Sequence, residues 1–352
     1  MPPPATLILV HEPEHACRDR LIAEGLPSGR AREIGSYLAQ STDIAADFGE
    51  IEQACAQRGL RFRPVVLDEA PAAFAKADPA STVVWTLTDG IAYFRGGAAP
   101  ALARLWGLRT LGSDDSVFAL CQDKFRSGAV LRAFGIPVPP AGLLRGRQVL
   151  VELPASSTGW FVKPNRLGAK IGIWEDSHCR STEAAIQLGA RIREAYGDDA
   201  IVQPHVPGRN VRSSFLAVDP DADMAGALRS VFVDSGGDFQ TMAESLALYG
   251  GTGADARSAG SYAEPKLEDV AGTRPRAAAA IRAIAERLTG GLGLRDVFSL
   301  DFRVGDDDAP QLLEFEVCPG LPCFDFRDYC RRRWKMSLAE AMAEAARRRL
   351  RR

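Results

Sequence analysis

The first informative feature of this 352-residue sequence is what it lacks. No run of about 18 apolar residues occurs, so no transmembrane helix is predicted. The N-terminus has no basic segment followed by an apolar one, so we expect no signal peptide and predict a cytoplasmic protein. The formal net charge is only −2, which gives no overall field to attract nucleic acid or an acidic membrane. We therefore expect neither nucleic acid nor a membrane as a partner.

Motifs of several common sites are missing as well. No Gly-x-Gly-x-x-Gly sequence supports dinucleotide binding, and no Gly-Lys-Ser/Thr sequence marks a Walker phosphate loop. The seven cysteines form no Cys-x-x-Cys pair, which fits a reducing compartment better than a disulfide framework. Cys318, Cys323 and Cys330 are close in sequence but lack zinc-ligand spacing, so we interpret them as small core residues.

Apolar runs and helical patterns alternate in the first third of the chain. Residues 6–10, 61–67 and 82–87 are predicted strands, and residues 29–58 have helical patterning. This alternation predicts a parallel sheet with helices on its faces, which is a Rossmann-like α/β domain. We place its boundary near residue 112.

Two lysines and a glycine-containing loop follow. A helix predicted over residues 113–134 contains Lys124. A predicted strand then ends at Lys163, and a second strand is expected to resume at Ile173-Trp174 beyond the loop. Gly168 and Gly172 in this loop allow backbone N–H groups to approach an anion closely, and nearby lysines add positive charge. A hairpin with a basic tip remains the alternative. A later segment rich in glycine and small residues, 236–260, is interpreted as a long functional loop.

Three carboxylates near the end of the chain mark the strongest candidate site. Residues 297–304 and 312–317 are predicted strands of a hairpin. Asp301 lies on the first strand, and Glu314 and Glu316 are two apart on the second, so the latter two point to one face. Acids grouped in apolar strands are costly unless a cation lies among them, and all-oxygen ligands suit Mg²⁺. The residues alone leave two interpretations open, a metal site or a solvent-facing hairpin of alternating charge.

The order of these motifs resembles the ATP-grasp superfamily, especially its D-alanine–D-alanine ligase branch. The resemblance extends over roughly residues 82–345. It implies a mixed α/β and α+β protein, with an ATP-grasp fold preceded by the Rossmann-like α/β domain. The implied domains are an N-terminal domain at 1–112, a central ATP-grasp domain at 113–202 and a C-terminal domain with the metal site at 203–352. The motifs that carry the resemblance are Asp123-Lys124, Gly135-Ile-Pro-Val-Pro139, Val162-Lys-Pro164, Val202-Gln-Pro-His-Val-Pro-Gly-Arg-Asn210, Asp301-Phe-Arg303 and Leu312-Leu-Glu-Phe-Glu-Val-Cys-Pro-Gly320.

The resemblance also implies residue roles. Lys124 and Lys163 correspond to two lysines that contact the nucleotide phosphates, and Gly168–Gly172 corresponds to the loop that closes over ATP. Gly320 belongs to a turn whose backbone N–H helps to hold a developing oxyanion. The residues implied to contact adenine and ribose are Gln203, His205, Val206 and Asn210, the last in place of a glutamate. The implied Mg²⁺ ligands, which Mn²⁺ would also suit, are Asp301, Glu314 and Glu316.

Several positions depart from the pattern of the dipeptide ligases. Glu316 stands where the third metal ligand is usually asparagine. Ser299 replaces an arginine, for which Arg303 is the candidate substitute because it shares a strand face with Asp301. Lys170 stands in place of a loop serine. It is the candidate to supply phosphate-binding charge that a lysine near position 244 usually provides.

The residues expected to bind the acceptor substrate differ most from the pattern of the dipeptide ligases. Asp325 aligns with the serine that holds the acceptor carboxylate, and an aspartate there would repel a carboxylate and prefer a cation or hydroxyls. Arg327 is available for an acid group, and the alternative for this segment is a helix start with an aspartate cap. We therefore do not expect D-alanyl-D-alanine as the product.

The resemblance implies an enzyme, an ADP-forming ligase that uses Mg²⁺ and ATP. It would join a small carboxylic acid to an amino acid or other amine through an acylphosphate. The expected partners are these small molecules, with a homodimer as a further expectation. The alternatives are an ATP-grasp kinase, a ligase with a non-amine acceptor and a nucleotide-binding subunit without turnover.

Overall fold

Three β-sheets follow one another along the part of the chain that the structure describes. The computed structural model describes residues 5–88, 95–168, 170–219, 222–234, 236–241 and 265–351. Within these ranges, no helix has the length and apolar character needed to cross a membrane.

The first sheet is parallel and has helices packed against it. Its strands lie in the order β2-β1-β3-β4, where β1 is Ala5–His11, β2 Leu60–Val66, β3 Thr82–Leu87 and β4 Arg109–Leu111. Its helices are α1 (Glu14–Ala23), α2 (Ser28–Thr42), α3 (Phe48–Ala56), α4 (Ala70–Phe74) and α5 (Ala98–Leu105). The helix predicted over 29–58 is therefore two helices. Asp43 interrupts it by accepting a hydrogen bond from the backbone N–H of Ala45, a local turn that competes with helix.

Two helices that lead to the second sheet correct the single helix predicted over 113–134. They are α6 (Asp115–Cys121) and α7 (Lys124–Ala133). Asp123 ends the continuity because its side chain accepts the N–H of Arg126 and caps α7. Lys124 is consequently the first residue of a helix rather than a mid-helix residue.

The second sheet is antiparallel, with strands in the order β6-β5-β9-β7-β8. Its strands are β5 (Gly142–Arg145), β6 (Gln148–Val151), β7 (Trp160–Pro164), β8 (His178–Cys179) and β9 (Ala200–Pro204), and α8 (Thr182–Tyr196) packs on it. The strand expected at Ile173-Trp174 is not formed. The partner of β7 on that side is β8, a few residues later.

The third sheet contains the predicted hairpin, which is confirmed. Its order is β12-β11-β10-β13-β14, all antiparallel. The strands are β10 (Arg209–Leu216), β11 (Arg229–Asp234), β12 (Lys266–Asp269), β13 (Val297–Val304) and β14 (Pro310–Glu316). The helices of this part are α9 (Met224–Ala227), α10 (Val270–Thr273), α11 (Pro275–Arg287), α12 (Phe324–Tyr329) and α13 (Leu338–Arg351).

The sheets can be compared with the predicted domain limits, which stay a prediction. The limit at residue 202 falls inside β9, whose last two residues still belong to the second sheet. Helices α6 and α7 bury Val117, Phe118 and Leu131 in the same apolar cluster as β13 and β14. The last helix, α13, returns to the first domain, where Glu344 pairs with Arg58 of the segment after α3.

Candidate active site

The candidate site is built on three neighbouring strands of the third sheet. Arg212, Asp301 and Glu314 lie side by side in register on β10, β13 and β14, so their side chains share one face. Two residues along, Ser299 and Glu316 form the next row, where Ser299 Oγ donates a 3.0 Å hydrogen bond to a Glu316 carboxylate oxygen. The two-residue period of the strands thus groups the three predicted metal ligands.

The chemistry of the three acids fits a divalent cation. One oxygen from each of Asp301, Glu314 and Glu316 lies within 4.8 Å of the others. All the donors are carboxylate oxygens, which are ligands that Mg²⁺ prefers, usually together with substrate phosphates. The residues present therefore fit Mg²⁺, and Mn²⁺ has the same ligand preference.

Two lysines from different elements face this cluster. Lys124, the first residue of α7, has its Nζ 3.6 Å from Glu314 Oε2, and Lys163 at the end of β7 has its Nζ 3.5 Å from the same oxygen. Burial lowers the pKa of Lys163, although Glu314 opposes the shift. Burial alone would raise the pKa of Glu314, but the charges of Lys163, Lys124 and Arg212 outweigh it and lower that pKa. The positive charges around Glu314 therefore stabilise its ionised form.

Asn165 explains why the two lysines converge. Its side-chain amide donates to Asp123 Oδ1 at 3.0 Å, and its Oδ1 accepts the backbone N–H of Phe125 at 2.8 Å. Its backbone oxygen accepts the N–H of Lys124 at 3.1 Å. The start of α7 is thus fastened to the residues that follow β7, and both lysines point into one space.

The glycine loop is packed onto helices α1 and α2. Leu167 and Ile171 join an apolar cluster with Cys17, Leu21 and other residues of α1 and α2. Gly172 has a φ of +70°, and a Cβ there would lie 2.6 Å from Pro164, so glycine suits both the conformation and the close approach.

Lys170 points from this loop into the site. It adopts a left-handed φ of 76° and donates from Nζ to Gln240 Oε1 at 2.5 Å. Burial, followed by the charge of Arg212, lowers its pKa. Ala169 and Glu244, and most of the predicted 236–260 loop, lie outside the described residues.

The residue that sequence analysis missed is Arg212. It binds Asp301 through two hydrogen bonds, Nε to Oδ1 at 2.8 Å and Nη2 to Oδ2 at 2.7 Å. Its Nη1 lies 3.5 Å from Asp325 Oδ2, in the first turn of α12. The available signal was its position two residues after Asn210, which puts both on one face of β10.

Arg303 does not take the place expected of it. It lies on the same strand face as Asp301, but it reaches toward the other end of the site. It donates to Val206 O at 2.9 Å, Asn210 Oδ1 at 3.0 Å and Asp238 Oδ1 at 2.5 Å. Arg303 is 5% exposed and is not among the cavity-lining residues. The guanidinium beside the acids is that of Arg212, and the catalytic role of Arg303 stays a prediction.

The residues predicted to contact adenine and the one predicted to contact the ribose lie differently with respect to the cavity. Gln203, His205 and Val206 are not among the cavity-lining residues, whereas Asn210 is. Both backbone groups of His205 already have partners, because its N–H donates to Gly159 and its oxygen accepts from Thr158. The carbonyl of Val206 is likewise occupied by Arg303.

The His205 ring has neighbours of its own. It stacks on His178 with 3.9 Å between ring centroids, and its Nε2 lies 2.7 Å from Asp238 Oδ2. Burial, followed by the nearby His178, lowers the pKa of His205, although Asp238 opposes the shift. A neutral His205 at neutral pH follows from this environment.

The acceptor-end residues separate into two groups. Gly320 and Asp325 line the cavity together with Cys323, so Cys323 is not only a core residue. Arg327 is not among the lining residues. Both of its terminal nitrogens bind Asp47 of the first domain, at 3.1 and 2.6 Å. Arg327 therefore links two parts of the chain, and the substrate role predicted for it is not supported.

A cavity of about 250 Å³ joins the charged cluster to an apolar end. Phe161 and Phe239 meet there edge to face, with 5.0 Å between ring centroids. An apolar slot next to a cluster of acids and lysines offers room for a planar ring and for a charged chain. The apolar side chains that line it are Phe161, Ile171, Ile173, Val233, Phe239, Phe302 and Leu313.

The fold is that of the ATP-grasp proteins. The D-alanine–D-alanine ligase from Bacillus anthracis superposes with a TM-score of 0.65 at 15% identity, covering 99% of this chain and 98% of that one. The same ligase complexed with ATP gives a TM-score of 0.62. At this low identity the likeness shows the fold, and it confirms the predicted fold class.

Sequence comparison extends this result. The chain is 30% identical over 199 residues to the D-alanine–D-alanine ligase of Corynebacterium urealyticum, a match that covers 52% of each chain. It is 27% identical over 308 residues to that of Mycolicibacterium gilvum, covering 84% of this chain and 76% of the relative. No family model matches the sequence. By sequence the chain is similar to D-alanine–D-alanine ligases and it shares their fold, and it spans about half the length of the first of these relatives.

Proposed function

We propose that this protein is an ADP-forming ligase that uses ATP and Mg²⁺ to join a small carboxylic acid to an amine. The observation that carries the proposal is the meeting of Lys124 and Lys163 at Glu314, beside Asp301 and Glu316. Two buried ammonium groups next to three acids would balance a metal-bound polyphosphate. The similarity to enzymes named D-alanine–D-alanine ligase supports the formation of a C–N bond.

The roles of the residues follow from their positions. Lys124 and Lys163 would bind phosphate oxygens, and the apolar end of the cavity, which Phe161 and Phe239 line, would hold the base. Asn210 lines the cavity and would contact the ribose. Asp301, Glu314 and Glu316 would hold Mg²⁺, which when bound neutralises charge on the transferred phosphoryl group. Lys170 reaches the same space from the glycine loop and would add positive charge.

The proposed reaction has two steps. An oxygen of the substrate carboxylate attacks the γ-phosphorus of ATP, which gives an acylphosphate and ADP. The amine then attacks the acyl carbon and phosphate leaves, so no side-chain nucleophile is required. The packing of Leu167 and Ile171 against α1 and α2 would keep water from the acylphosphate.

We further propose that the product is not D-alanyl-D-alanine. Asp325 is 7% exposed, lines the cavity and lies 3.5 Å from Arg212. A buried carboxylate there would repel an acceptor carboxylate, and it suits an acceptor with a cationic or hydroxyl group.

The seven free thiols and the ATP requirement fit the predicted cytoplasmic location.

The test is ADP release with a panel of carboxylic acids and amines. A ligase releases ADP and free phosphate only when both an acid and an amine are present, and it forms a new amide detectable by mass spectrometry. Phosphate retained on the product would indicate a kinase. ATP bound without any turnover across the panel would indicate a nucleotide-binding subunit. Either of the last two results would overturn the ligase proposal.

A further inference from the structure

Arg212 binds the carboxylate of Asp301, which the proposed function assigns to the metal as a ligand. Both oxygens of Asp301 accept hydrogen bonds from it, at 2.8 and 2.7 Å. The two side chains are only partly exposed, 25% for Arg212 and 21% for Asp301, so water screens the pair weakly. Burial of Arg212 is offset by the charges of Asp301, Asp325 and Glu316, which raise its pKa. The guanidinium is therefore fixed beside the acids.

We propose that Arg212 is an internal counter-ion that competes with the divalent metal for Asp301, so that metal binding moves the guanidinium from Asp301 to Asp325. The proposal rests on the metal site of the proposed function. It concerns a positioning residue that neither the resemblance nor the motif spacing assigns.

Electrostatic repulsion is the physical reason for the competition. A metal ligated by Asp301 would lie about 2.0–2.1 Å from one of its oxygens. A dication at that distance and a guanidinium on the same carboxylate would be close like charges in a partly buried site, where screening is weak. The bidentate pair must therefore loosen when Asp301 ligates the metal.

Asp325 offers the guanidinium a nearby alternative partner. Its Oδ2 is 3.5 Å from Arg212 Nη1, which is slightly longer than an ordinary N–H···O hydrogen bond. Asp325 is fixed in the first turn of α12 and is 7% exposed, so its carboxylate stays on that side of the cavity. Because both carboxylates already lie next to the same guanidinium, the proposed exchange needs no movement of the backbone of either strand or helix.

The charges that line the cavity agree with such an exchange. The described lining residues hold four cationic and four anionic side chains, which balance without a metal. An added dication leaves an excess of positive charge, and this excess suits the arrival of a polyphosphate. The cationic residues are Lys124, Lys163, Lys170 and Arg212, and the anionic ones are Asp301, Glu314, Glu316 and Asp325.

The test is Mn²⁺ binding to the nucleotide-free protein, measured by electron paramagnetic resonance of the free ion. We expect Arg212→Gln to bind Mn²⁺ about tenfold more tightly than the parent chain, because the competitor is removed. The control is Arg209→Gln, since Arg209 is on the same strand and pairs with Glu268, a half-exposed residue, at 2.7 Å. Equal or weaker binding in Arg212→Gln, including no detectable binding in either protein, would overturn the proposal.

A second variant should change the Mn²⁺ affinity in the opposite direction. Asp325→Asn removes the alternative partner, so we expect the guanidinium to stay on Asp301 and Mn²⁺ affinity to fall several-fold. A purely structural role for Arg212 would not produce tightening in one variant and weakening in the other.

One further variant guards against a folding failure, and the metal titration is independent of the ligase assay. Arg212→Lys keeps the charge but loses the two-point contact, so it should bind Mn²⁺ with intermediate affinity, and this result decides the matter if Arg212→Gln does not fold. The titration needs neither ATP nor substrates. A failed ligase assay therefore leaves the metal measurement intact, and a failed metal measurement leaves the ligase assay intact.

Discussion

Lys163 on β7 and Glu314 on β14 face each other across two different sheets, with 3.5 Å between Nζ and Oε2. Lys163 is 7% exposed, whereas the Glu314 side chain is 25% exposed, so the buried member of the pair is the lysine. A buried lysine with a lowered pKa is costly for the empty protein. Its placement at the junction of two sheets is explained if a ligand with several negative charges binds there.

The first prediction concerns Lys163→Met, which keeps the length of the side chain and removes its charge. We expect the affinity for an ATP analogue to fall at least about tenfold, because a charge-assisted hydrogen bond to phosphate is lost. Lys124 still faces Glu314, so the fold should persist. Isothermal titration calorimetry measures the affinity, and the exposed Lys266 gives the control Lys266→Met. Unchanged affinity in Lys163→Met would remove Lys163 from the nucleotide site.

The second prediction concerns Glu314→Gln. Glu314 combines one of the proposed metal oxygens with contacts to both lysines. We expect ADP release to fall at least about a hundredfold, since the loss of a ligand exceeds the 10–100-fold effect of losing a residue that only supports one. The matched control is Glu268→Gln on β12, whose carboxylate pairs with Arg209 on the exposed side. Full activity in Glu314→Gln would refute the metal assignment.

Local patterns predicted part of this site. The grouping of the acids on β13 and β14 was predicted because the two-residue alternation of side chains is visible in a short stretch of sequence. The break between α6 and α7 was missed because a capping side chain, Asp123, decided it against a continuous helical pattern. The strand β6 was missed as well, and all of its residues are exposed, so it lacks the alternation of buried positions that marks a strand.

Non-local contacts decided the rest. The role of Arg212 depends on the register of β10 against β13, which brings it to Asp301 although 89 residues separate them. Arg303 was placed on the correct strand face, yet its reach is set by Val206 and Asp238, which no motif connects to it. The two-residue alternation along a strand therefore predicted which face carries a side chain, but it did not predict what that side chain contacts.

The third prediction concerns acceptor choice. Asp325→Ser removes a buried carboxylate from the cavity. We expect the preferred amine to shift toward acceptors that carry a carboxylate, because one negative charge is removed from the cavity while the positive charge of Arg212 stays. The ratio of kcat/KM for an amino acid to that for its amide measures this shift. If the ratio in Asp325→Ser equals that of the parent chain, Asp325 lies outside the acceptor site.

The fourth prediction concerns the stability of the whole chain against acid. Glu344 on α13 accepts hydrogen bonds from Arg347 and Arg348 and pairs with Arg58 of the first domain. The hydrogen bond from Arg347 outweighs burial and, with Arg348, lowers the pKa of Glu344 from 4.5 to about 2. The folded state therefore holds the ionised form more strongly than the unfolded state does. A depressed carboxylate pKa stabilises the fold above pH 4.5, and that contribution is lost as the pH falls from 4.5 toward 2.

We therefore expect Glu344→Gln to lower the free energy of unfolding by about 2–3 kcal/mol at pH 7. The difference from the parent chain should shrink steadily below pH 4.5, because the parent carboxyl becomes protonated as well. Urea unfolding at pH 7, 4 and 3 measures this, with Glu286→Gln as the control, since Glu286 is exposed on α11. A difference that stays constant over this pH range would mean that Glu344 acts through packing and not through its charge, because only ionisation gives the contribution its dependence on pH.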